Sequence, residues 1–482
     1  MKVMIGYPPL PSPKGVPLLS QNRQFQWFNK PTYVYPMVPA YAATLCAQDG
    51  HAVCWADGIA EGWSPERFEQ EFRTFAPDLL LIECKTPIVK AYWAVITRLK
   101  ALGGASRIAL CGDHATALPA ESMNACPVDY VITGGNFDFR LRDLMRHLEG
   151  KAPLPAGIWH RENGAVDSTG PFTLDDDLNT LPLIDRDLTR WRLYAVENGN
   201  FRYTPGTYTM VGRDCWWGKC AFCSWTTLYN RWRCQTPERL VDEIGVLIEK
   251  YGVKEVFDDS GCFPAGQWLR RFCELIVERG YHKKVVLGCN MIPGVLTKEH
   301  YELMAKANFR FLLFGLESAD PATLKRIRKC GRAEDIENSM RLAKEAGLQP
   351  HVTCMVGYPW ETEAQAKATV NAARSLFDKG YIDTLQATVV IPYPGTPLFK
   401  ECLEKDWLKT LDWDRYDMRE PIMKTEIPDA KIMALTRDIY KSFLTPRFIW
   451  RKILSIRSFD DVRFYWRAGL RVLGHLLDFS KK

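Results

Sequence analysis

The 482-residue sequence lacks a long apolar run and an internal repeat, and we do not expect it to begin with a cleavable leader. No stretch reaches the ~18 consecutive apolar residues that a membrane-spanning helix needs. The N-terminal segment MKVMIGYPPL has neither the apolar core nor the small-residue cleavage site of a signal peptide, and it predicts a β-strand instead. We therefore expect a globular protein of the cytoplasm.

A strong charge imbalance is also missing, because the formal net charge is only +6. Residues 447–482 hold nine Lys or Arg and three Asp, and this local excess equals that of the whole chain. A general nucleic-acid-binding surface is therefore not predicted. Apolar residues make up 46% of the chain, which is usual for a globular protein, and the length favours two or three domains.

Cysteine, in contrast, is abundant. The chain has fifteen, and this odd, scattered set fits free thiols in a reducing compartment better than a disulfide framework. Three of them, Cys215, Cys220 and Cys223, lie together in GRDCWWGKCAFCSW. Three thiolates can bind three corners of an iron–sulfur cube and leave the fourth iron open for a small molecule. A closed zinc site would need a fourth Cys or His, and none follows before Cys234.

The spacing alone leaves structural zinc, unliganded cysteines and a cluster as alternatives, of which we favour the cluster. Phe222, between two of the cysteines, would lie beside whatever binds the open iron, or would simply pack the loop.

Residues 1–148 alternate short apolar runs with helical patterns. This alternation predicts a doubly wound parallel sheet of the Rossmann-like type, whose ligands bind beyond the carboxyl ends of the strands. The five predicted strands are KVMIGYPP, HAVCWADG, DLLLIECKT, RIALCGDH and DYVITGG. We expect the loops that follow them to form one binding site, with candidate residues Pro8, Thr86, Gly112, His114, Thr116, Gly134 and Gly135.

Residues 149–205 are rich in Pro, Asp and turn signals and are interpreted as a linker with a short strand or two. The alternation resumes in residues 206–398 with six β/α units, which predicts an open, partial TIM-like barrel. Its unusual polar residues fall at strand ends, where barrel active sites lie. Residues 399–482 are predicted to be helical.

These motifs resemble radical SAM enzymes, specifically the branch with an N-terminal cobalamin-binding domain. The resemblance covers nearly the whole chain and rests on several segments together: YPPL, PAYAATLCAQDGHAV, GDHATALPAE, FDDSGCF, GLESADPATLKRIRK, MVGYPWET and IPYPGTPLF. The cysteine spacing departs from the family's usual C-x3-C-x2-C, because four residues separate Cys215 from Cys220. The extra residue enlarges the loop and removes no ligand.

The resemblance implies the cofactors and the residues that contact them. Cys215, Cys220 and Cys223 would ligate a [4Fe–4S] cluster whose fourth iron is chelated by S-adenosylmethionine (SAM). Asp258 and Asp259 would end a strand near the SAM amino group, Glu317 would bind its ribose or amino group, and Gly357 would approach the adenine.

The resemblance also implies cobalamin, held with its lower base detached. The sequence has no D-x-H-x-x-G cobalt-binding pattern. His114 lies in the corresponding loop but in a different frame, so it is interpreted as a polar loop residue, with cobalt ligation as the alternative.

The implied activity is methylation of an unactivated carbon through a 5′-deoxyadenosyl radical and methylcobalamin, with an external flavodoxin-like or ferredoxin-like reductant. The alternative within the family is oxidative cyclisation, ring contraction or carbon–carbon coupling on a tetrapyrrole or isoprenoid lipid. A zinc-stabilised binding module or a corrinoid-free electron carrier is the alternative outside it. No catalytic side chain is assigned.

The aromatic residues Trp216, Trp217, Trp225 and Tyr229 could wall an apolar or flat substrate, or pack the loop. In the C-terminal region, an apolar stripe from Val462 to Leu477 runs beside a stripe of arginines. This pattern predicts a helix that docks on the barrel, with contact to an anionic membrane surface as the alternative.

Overall fold

A computed structural model describes residues 1–18, 25–162 and 164–441, together with positions 450, 453, 454, 456, 461, 462, 464–466 and 469. The first part of the chain contains, in order, β1 (Lys2–Tyr7), β2 (Val16–Pro17), β3 (Trp27–Phe28), α1 (Met37–Gln48), β4 (Ala52–Asp57), α2 (Pro65–Phe75), β5 (Leu79–Cys84), α3 (Val89–Ala101), β6 (Arg107–Gly112), α4 (Asp113–Ala117), α5 (Pro119–Ala125), β7 (Tyr130–Ile132), α6 (Phe137–Leu148), β8 (Ile158–Glu162) and β9 (Ala165–Ser168).

The first sheet has seven strands in the order β4-β1-β5-β6-β7-β8-β9. The first five strands in this order, β4, β1, β5, β6 and β7, are parallel, as predicted. They are the buried apolar runs of the sequence. The hairpin β8–β9 adds two antiparallel strands at one edge. This hairpin lies within residues 149–205, so part of the segment interpreted as a linker extends the first sheet.

The second part contains β10 (Gly206–Thr209), β11 (Gly212–Arg213), α7 (Trp225–Leu228), β12 (Arg233–Cys234), α8 (Pro237–Glu249), β13 (Glu255–Asp258), α9 (Gly266–Glu278), β14 (Val286–Met291), α10 (Lys298–Lys306), β15 (Phe309–Glu317), α11 (Pro321–Arg326), α12 (Ala333–Glu345), β16 (Gln349–Val356), α13 (Glu363–Lys379), β17 (Thr384–Val389), α14 (Pro397–Glu404) and α15 (Asp429–Lys441). Short 3₁₀ helices occupy Thr86–Ile88, Leu178–Thr180, Trp191–Tyr194, Tyr281–Lys283 and Trp413–Arg415.

Six parallel strands form the second sheet in sequence order, β10-β13-β14-β15-β16-β17. This order confirms the partial β/α barrel. In the described residues β10 and β17 are its edge strands, so the barrel is open. The first strand is short, because the chain leaves the sheet after Thr209 and Gly212–Arg213 pairs instead with Arg233–Cys234.

One apolar core joins the two sheets. It includes Tyr41 of α1 and Leu141 of α6 on one side and Tyr208 of β10 and Val241 of α8 on the other, all of them buried. Removing apolar surface from water contributes roughly 25 cal/mol per Å² to stability. Because residues of both sheets bury surface in this one core, it stabilises the contact between the sheets.

Candidate active site

The three clustered cysteines lie on a loop framed by the β11–β12 ladder. The loop begins with Asp214, whose backbone is left-handed (φ 75°) and whose Oδ1 accepts the Cys215 N–H at 2.7 Å. The Gly261 N–H donates to the Asp214 carbonyl at 3.1 Å. A Cβ at Gly261 would lie 2.6 Å from that carbonyl oxygen, so only glycine permits this close approach. The end of β13 thus fixes the start of the cysteine loop.

The far side of the loop is fastened to the segment after α11. The Ala221 N–H donates to the Ile327 carbonyl at 2.8 Å, and the Trp217 indole donates to the Arg328 carbonyl at 2.7 Å. All three cysteines are half-buried. The loop is therefore held at both ends while its thiols stay accessible from one side.

One cavity at the carboxyl ends of the second sheet brings the three thiols together with residues from five strands. The cavity is lined by Cys215, Cys220, Cys223, Phe222, Asp259, Asn290, Leu313, Glu317, Lys329, Cys330, Thr353, Met355, Gln386, Tyr393 and Met418, among others. Its lining combines polar side chains such as Asn290 and Gln386 with apolar ones such as Leu313 and Met355. This is the position of an active site in a β/α barrel.

Glu317 and Lys329 form an ion pair inside this cavity. Lys329 Nζ lies 3.1 Å from Glu317 Oε1, and both side chains are nearly buried. Burial alone would lower the pKa of Lys329, but the Glu317 carboxylate and the Cys220 thiol raise it above its ordinary value. Glu317 ends β15 in a left-handed conformation (φ 61°) and also accepts a 3.4 Å hydrogen bond from Thr353. A fixed carboxylate and a fixed cation therefore face the thiols together.

The two adjacent aspartates at the end of β13 have different surroundings. Asp259 lines the cavity, whereas Asp258 is turned away from it. Asp258 accepts hydrogen bonds from the Thr209 hydroxyl at 2.9 Å and from the Val211 N–H at 2.9 Å. Burial raises the pKa of Asp258, and these donors partly oppose the shift. Asp258 thus stabilises, through these hydrogen bonds, the backbone that leads into the cysteine loop.

Gly357 also lies outside the cavity. Its backbone is left-handed (φ 94°), and its N–H donates to Glu361 Oε2 at 2.8 Å. A Cβ at Gly357 would lie 3.2 Å from Ile432 of α15. In the structure this glycine therefore permits a turn packed beneath α15.

The candidate residues of the first sheet lie at its carboxyl edge, and all of them except the half-buried Thr116 are buried. Thr86 is buried, and the Thr116 hydroxyl joins two loops by donating to the Gly112 carbonyl and accepting the Gly134 N–H. A Cβ at Gly135 would lie 2.0 Å from the Tyr229 ring. The loops thus pack against α7 of the second sheet. Pro8 is likewise buried.

His114 is fully buried between two indole rings. Its ring centroid lies 5.2 Å from that of Trp413 and 6.0 Å from that of Trp93. Nδ1 lies 3.4 Å from the Thr86 hydroxyl, and Nε2 lies 3.3 Å from Glu121 Oε2. Both ring nitrogens face protein groups, and His114 itself lies in the first turn of α4.

Of the four aromatic residues expected to line the substrate site, one lines the cavity and three pack elsewhere. Trp217 lines the cavity, and Trp216 packs behind the loop, where its indole donates to Cys262 Sγ at 3.0 Å. Trp225 and Tyr229 are buried in the core between the sheets.

The thiols fit an iron–sulfur cluster better than a single metal ion. Among the described residues, no three His, Cys, Asp or Glu side chains converge closely enough to hold one ion. In a cubane each thiolate binds its own iron, so convergence on a single point is not required. Burial raises the pKa of the Cys220 thiol to about 12, and a bound metal would reverse this by stabilising the thiolate. Glu317 and Lys329 supply polar contacts for a ligand of the open iron.

The fit to a corrin lies in the arrangement of the two sheets. Tyr393 lines the cysteine cavity, and burial together with the nearby Asp113 of the first sheet raises the pKa of its hydroxyl. Tyr393 also packs in one apolar cluster with Ala115 and Met123, which lie beyond the carboxyl edge of the first sheet, so it links the cavity to the edge where a flat cofactor would bind. No residue of this chain is assigned as a cobalt ligand.

The sequence did not single out Lys329, and it indicated Tyr393 only as part of the segment Pro392–Thr396 at a predicted strand end. Lys329 follows α11, twelve positions after Glu317, and only its place at the end of the quoted motif GLESADPATLKRIRK could have indicated it. Tyr393 lies in the loop after β17, within the quoted motif IPYPGTPLF.

Most of the predicted C-terminal amphipathic stripe lies outside the described residues. Val462 and Trp466, which are described, are exposed. No helix in the described residues has the length and apolar character to cross a bilayer.

Comparison with known proteins agrees with this geometry. Residues 209–373 match the family model of the radical SAM superfamily. The chain is 26% identical over 433 residues to an uncharacterized methyltransferase of Pyrococcus horikoshii, covering 88% of this chain and 91% of the relative. It is 25% identical over 403 residues to the anaerobic magnesium-protoporphyrin IX monomethyl ester cyclase of Cereibacter sphaeroides, covering 80% of this chain and 63% of the relative.

The fold is similar to that of the radical SAM methyltransferase TsrM from Kitasatospora setae, solved with cobalamin and a [4Fe–4S] cluster. The TM-score is 0.68 at 16% identity, covering 92% of this chain and 89% of the other. Because the similarity extends over both sheets, it confirms the fold expected from the sequence resemblance.

Proposed function

We propose that this chain, whose residues 209–373 form a radical SAM domain, is a cobalamin-dependent enzyme that methylates an unactivated carbon of a small-molecule or lipid substrate. The observation that carries the proposal is the cavity that contains the three thiols and the Glu317–Lys329 pair and is lined by Tyr393, which also packs in the apolar cluster of the first sheet. The similarity to a methyltransferase over most of both chains supports the reaction class.

Each cofactor would be held by a separate group of residues. Cys215, Cys220 and Cys223 would ligate the [4Fe–4S] cluster, and SAM would bind its open iron. Lys329 matches the carboxylate of SAM in charge, and Glu317 matches its ammonium or ribose hydroxyls. Cobalamin would lie between the carboxyl edges of the two sheets.

When bound, these groups supply a 5′-deoxyadenosyl radical and a methyl donor, while the protein positions them and excludes water. Met355, Met418 and Tyr393 contribute apolar surface to the cavity, which suits an uncharged carbon centre. No described side chain is assigned a proton-transfer role.

Labelled SAM tests the proposal. The protein is reconstituted without oxygen, supplied with cobalamin and dithionite, and incubated with methyl-labelled SAM and metabolite or lipid extracts. Label in a product, formed together with 5′-deoxyadenosine and S-adenosylhomocysteine, supports methyl transfer. Folded protein that cannot be reconstituted with iron and sulfide contradicts the proposal.

A second candidate is a radical cyclisation or rearrangement without methyl transfer, favoured by the similarity to the magnesium-protoporphyrin ester cyclase. The labelling experiment separates the two candidates. Formation of 5′-deoxyadenosine with an unlabelled product and no S-adenosylhomocysteine identifies the second.

A further inference from the structure

We infer that the C-terminal region binds the surface of an anionic lipid membrane through exposed apolar side chains between residues 450 and 466. The inference does not rest on the proposed reaction, because it concerns residues outside the cysteine cavity. The contact is non-covalent, and no bond forms or breaks in it.

The distribution of tryptophan sets this region apart from the rest of the protein. All sixteen tryptophans lie within the described residues, and fourteen of them are buried or half-buried. The two exposed ones are Trp450 and Trp466, whose side chains are 62% and 70% exposed. Tryptophan has a large apolar body and one N–H donor, so it is favoured where a side chain meets both hydrocarbon and water. The exposed pair therefore indicates a membrane interface.

Each of these tryptophans has apolar neighbours at helical spacing. Ile453 and Leu454 follow Trp450 by three and four positions, and Val462 precedes Trp466 by four. All five residues are exposed and have a helical backbone. Residues at these spacings share one face of a helix. The exposed apolar side chains are thus grouped on helix faces, whereas single scattered ones would need no explanation.

A buried ion pair attaches this region to the amino end of the second sheet. Arg202 Nε donates to Asp461 Oδ1 at 2.7 Å, and both side chains are buried. The Tyr465 ring centre lies 5.6 Å from the Arg202 guanidinium carbon. The Arg202 N–H donates to Glu255 Oε2 at 2.7 Å, and Glu255 is the first residue of β13. Asp461 and Tyr465 therefore contact the barrel, while the next residue after each, Val462 and Trp466, is exposed.

The charge of the region identifies the partner. Residues 447–471 include seven Lys or Arg and two Asp, and one of these aspartates, Asp461, is already paired with Arg202. Cations beside an exposed apolar helix face are attracted to anionic headgroups, and the apolar side chains then enter the boundary between headgroups and acyl chains. A second copy of this chain would bring the same excess of positive charge and would repel the first. An anionic lipid surface is therefore the partner that fits.

The test removes the two exposed indoles in the double variant Trp450→Gln/Trp466→Gln. Its matched control is Leu403→Gln/Leu411→Gln, which removes two apolar side chains that are also about half exposed but lie outside the C-terminal region. Binding of each full-length protein to phosphatidylglycerol vesicles and to phosphatidylcholine vesicles is measured by co-sedimentation at two salt concentrations. Thermal unfolding verifies that both variants are folded, and sedimentation equilibrium without lipid measures self-association.

We expect the parent to bind phosphatidylglycerol vesicles at least about 10-fold more tightly than phosphatidylcholine vesicles, and high salt should weaken this binding. The tryptophan variant should bind phosphatidylglycerol at least about 10-fold more weakly than the parent, because the apolar contact is lost while the charge is unchanged. The control variant should bind like the parent.

Three results overturn the inference. One is a parent that binds neither kind of vesicle, and another is equal binding by the parent and the tryptophan variant. The third is a parent that self-associates in the absence of lipid and does not bind vesicles, with the tryptophan variant monomeric, which would make these faces an interface between copies of the chain. None of these results bears on SAM cleavage, so the proposed function is tested separately.

Discussion

Arg213 Nη2 donates to Asp138 Oδ2 at 2.6 Å, and both side chains are fully buried. Asp138 belongs to α6 of the first sheet, whereas Arg213 lies two residues before Cys215. The guanidinium also stacks near the Tyr41 ring, with its central carbon 5.7 Å from the ring centre. This pair therefore ties the cysteine loop to the half of the molecule where the corrin is expected.

Breaking the pair should destabilise the protein strongly. Arg213→Met leaves the Asp138 carboxylate buried without a counter-charge, which typically costs about 3–5 kcal/mol. The double variant Arg213→Met/Asp138→Leu removes both charges and should recover much of that loss. Thermal unfolding of the two variants and the parent measures the effect. Equal destabilisation by the single and double variants would mean that packing, not charge, dominates at this contact.

The roles of the cysteines can be separated by iron content. Cys220→Ala should lose most of the iron and sulfide, because two thiolates cannot replace three. Cys330→Ala, although Cys330 lines the same cavity, should keep the full amount, about four irons per chain. Cys234→Ala, outside the cavity, is the control. Iron loss in the Cys330 variant as large as in the Cys220 variant would indicate a closed four-cysteine site.

Much of this arrangement could be predicted from the sequence because the strands are apolar runs followed by polar or glycine residues. Such runs fix which residues end a strand, and strand ends of parallel sheets share one edge. The β8–β9 hairpin was harder to assign, because Ile158–Glu162 and Ala165–Ser168 are short and partly polar. Its pairing with β7 depends on tertiary contact rather than on local pattern.

The sequence could not predict which of two adjacent residues at a strand end faces the cavity. Asp258 and Asp259 are equally polar. Successive side chains of a strand point to opposite faces, and only the orientation of the strand in the fold decides which of the two faces the cavity. Lys329 was missed for a different reason. It reaches the cavity from a loop after α11, and its partner Glu317 is twelve residues away.

Lys329 should contribute to SAM binding more than to cluster binding. In Lys329→Met the Glu317 carboxylate loses its counter-charge and a SAM carboxylate would lose its cation, so SAM affinity should fall about 10-fold or more. Lys329→Arg keeps the charge and should lose less. Equilibrium SAM binding and iron content are measured on the same reconstituted samples. A parallel loss of iron in Lys329→Met would assign the lysine to cluster stability instead.

Gly315 gives a steric test of the same pair. A Cβ at this position would lie 2.1 Å from Glu317 Oε1 and 2.5 Å from Lys329 Nζ. Gly315→Ala should therefore displace both side chains and weaken SAM binding about as much as Lys329→Met does. SAM titration of the alanine variant and of a Gly315→Ala/Lys329→Met double variant measures this. Fully additive losses in the double variant would show that Gly315 acts independently of the pair.

Glu361 should make stability depend on pH. Its carboxyl accepts the Gly357 N–H and is buried, and burial raises its pKa from 4.5 to about 7. Between these two values the folded state holds more protons than the unfolded state, so stability should fall as pH rises from about 4.5 to 7. The shift corresponds to about 3 kcal/mol at most.

Glu361→Gln stays neutral while its amide oxygen can still accept the same N–H, so its Tm should rise relative to the parent's between pH 5 and pH 8. The control is Glu363→Gln, because the Glu363 side chain is 41% exposed and its pKa is lowered chiefly by a hydrogen bond from Lys367. A constant Tm difference between the Glu361 variant and the parent across this range would show that the carboxyl does not titrate there.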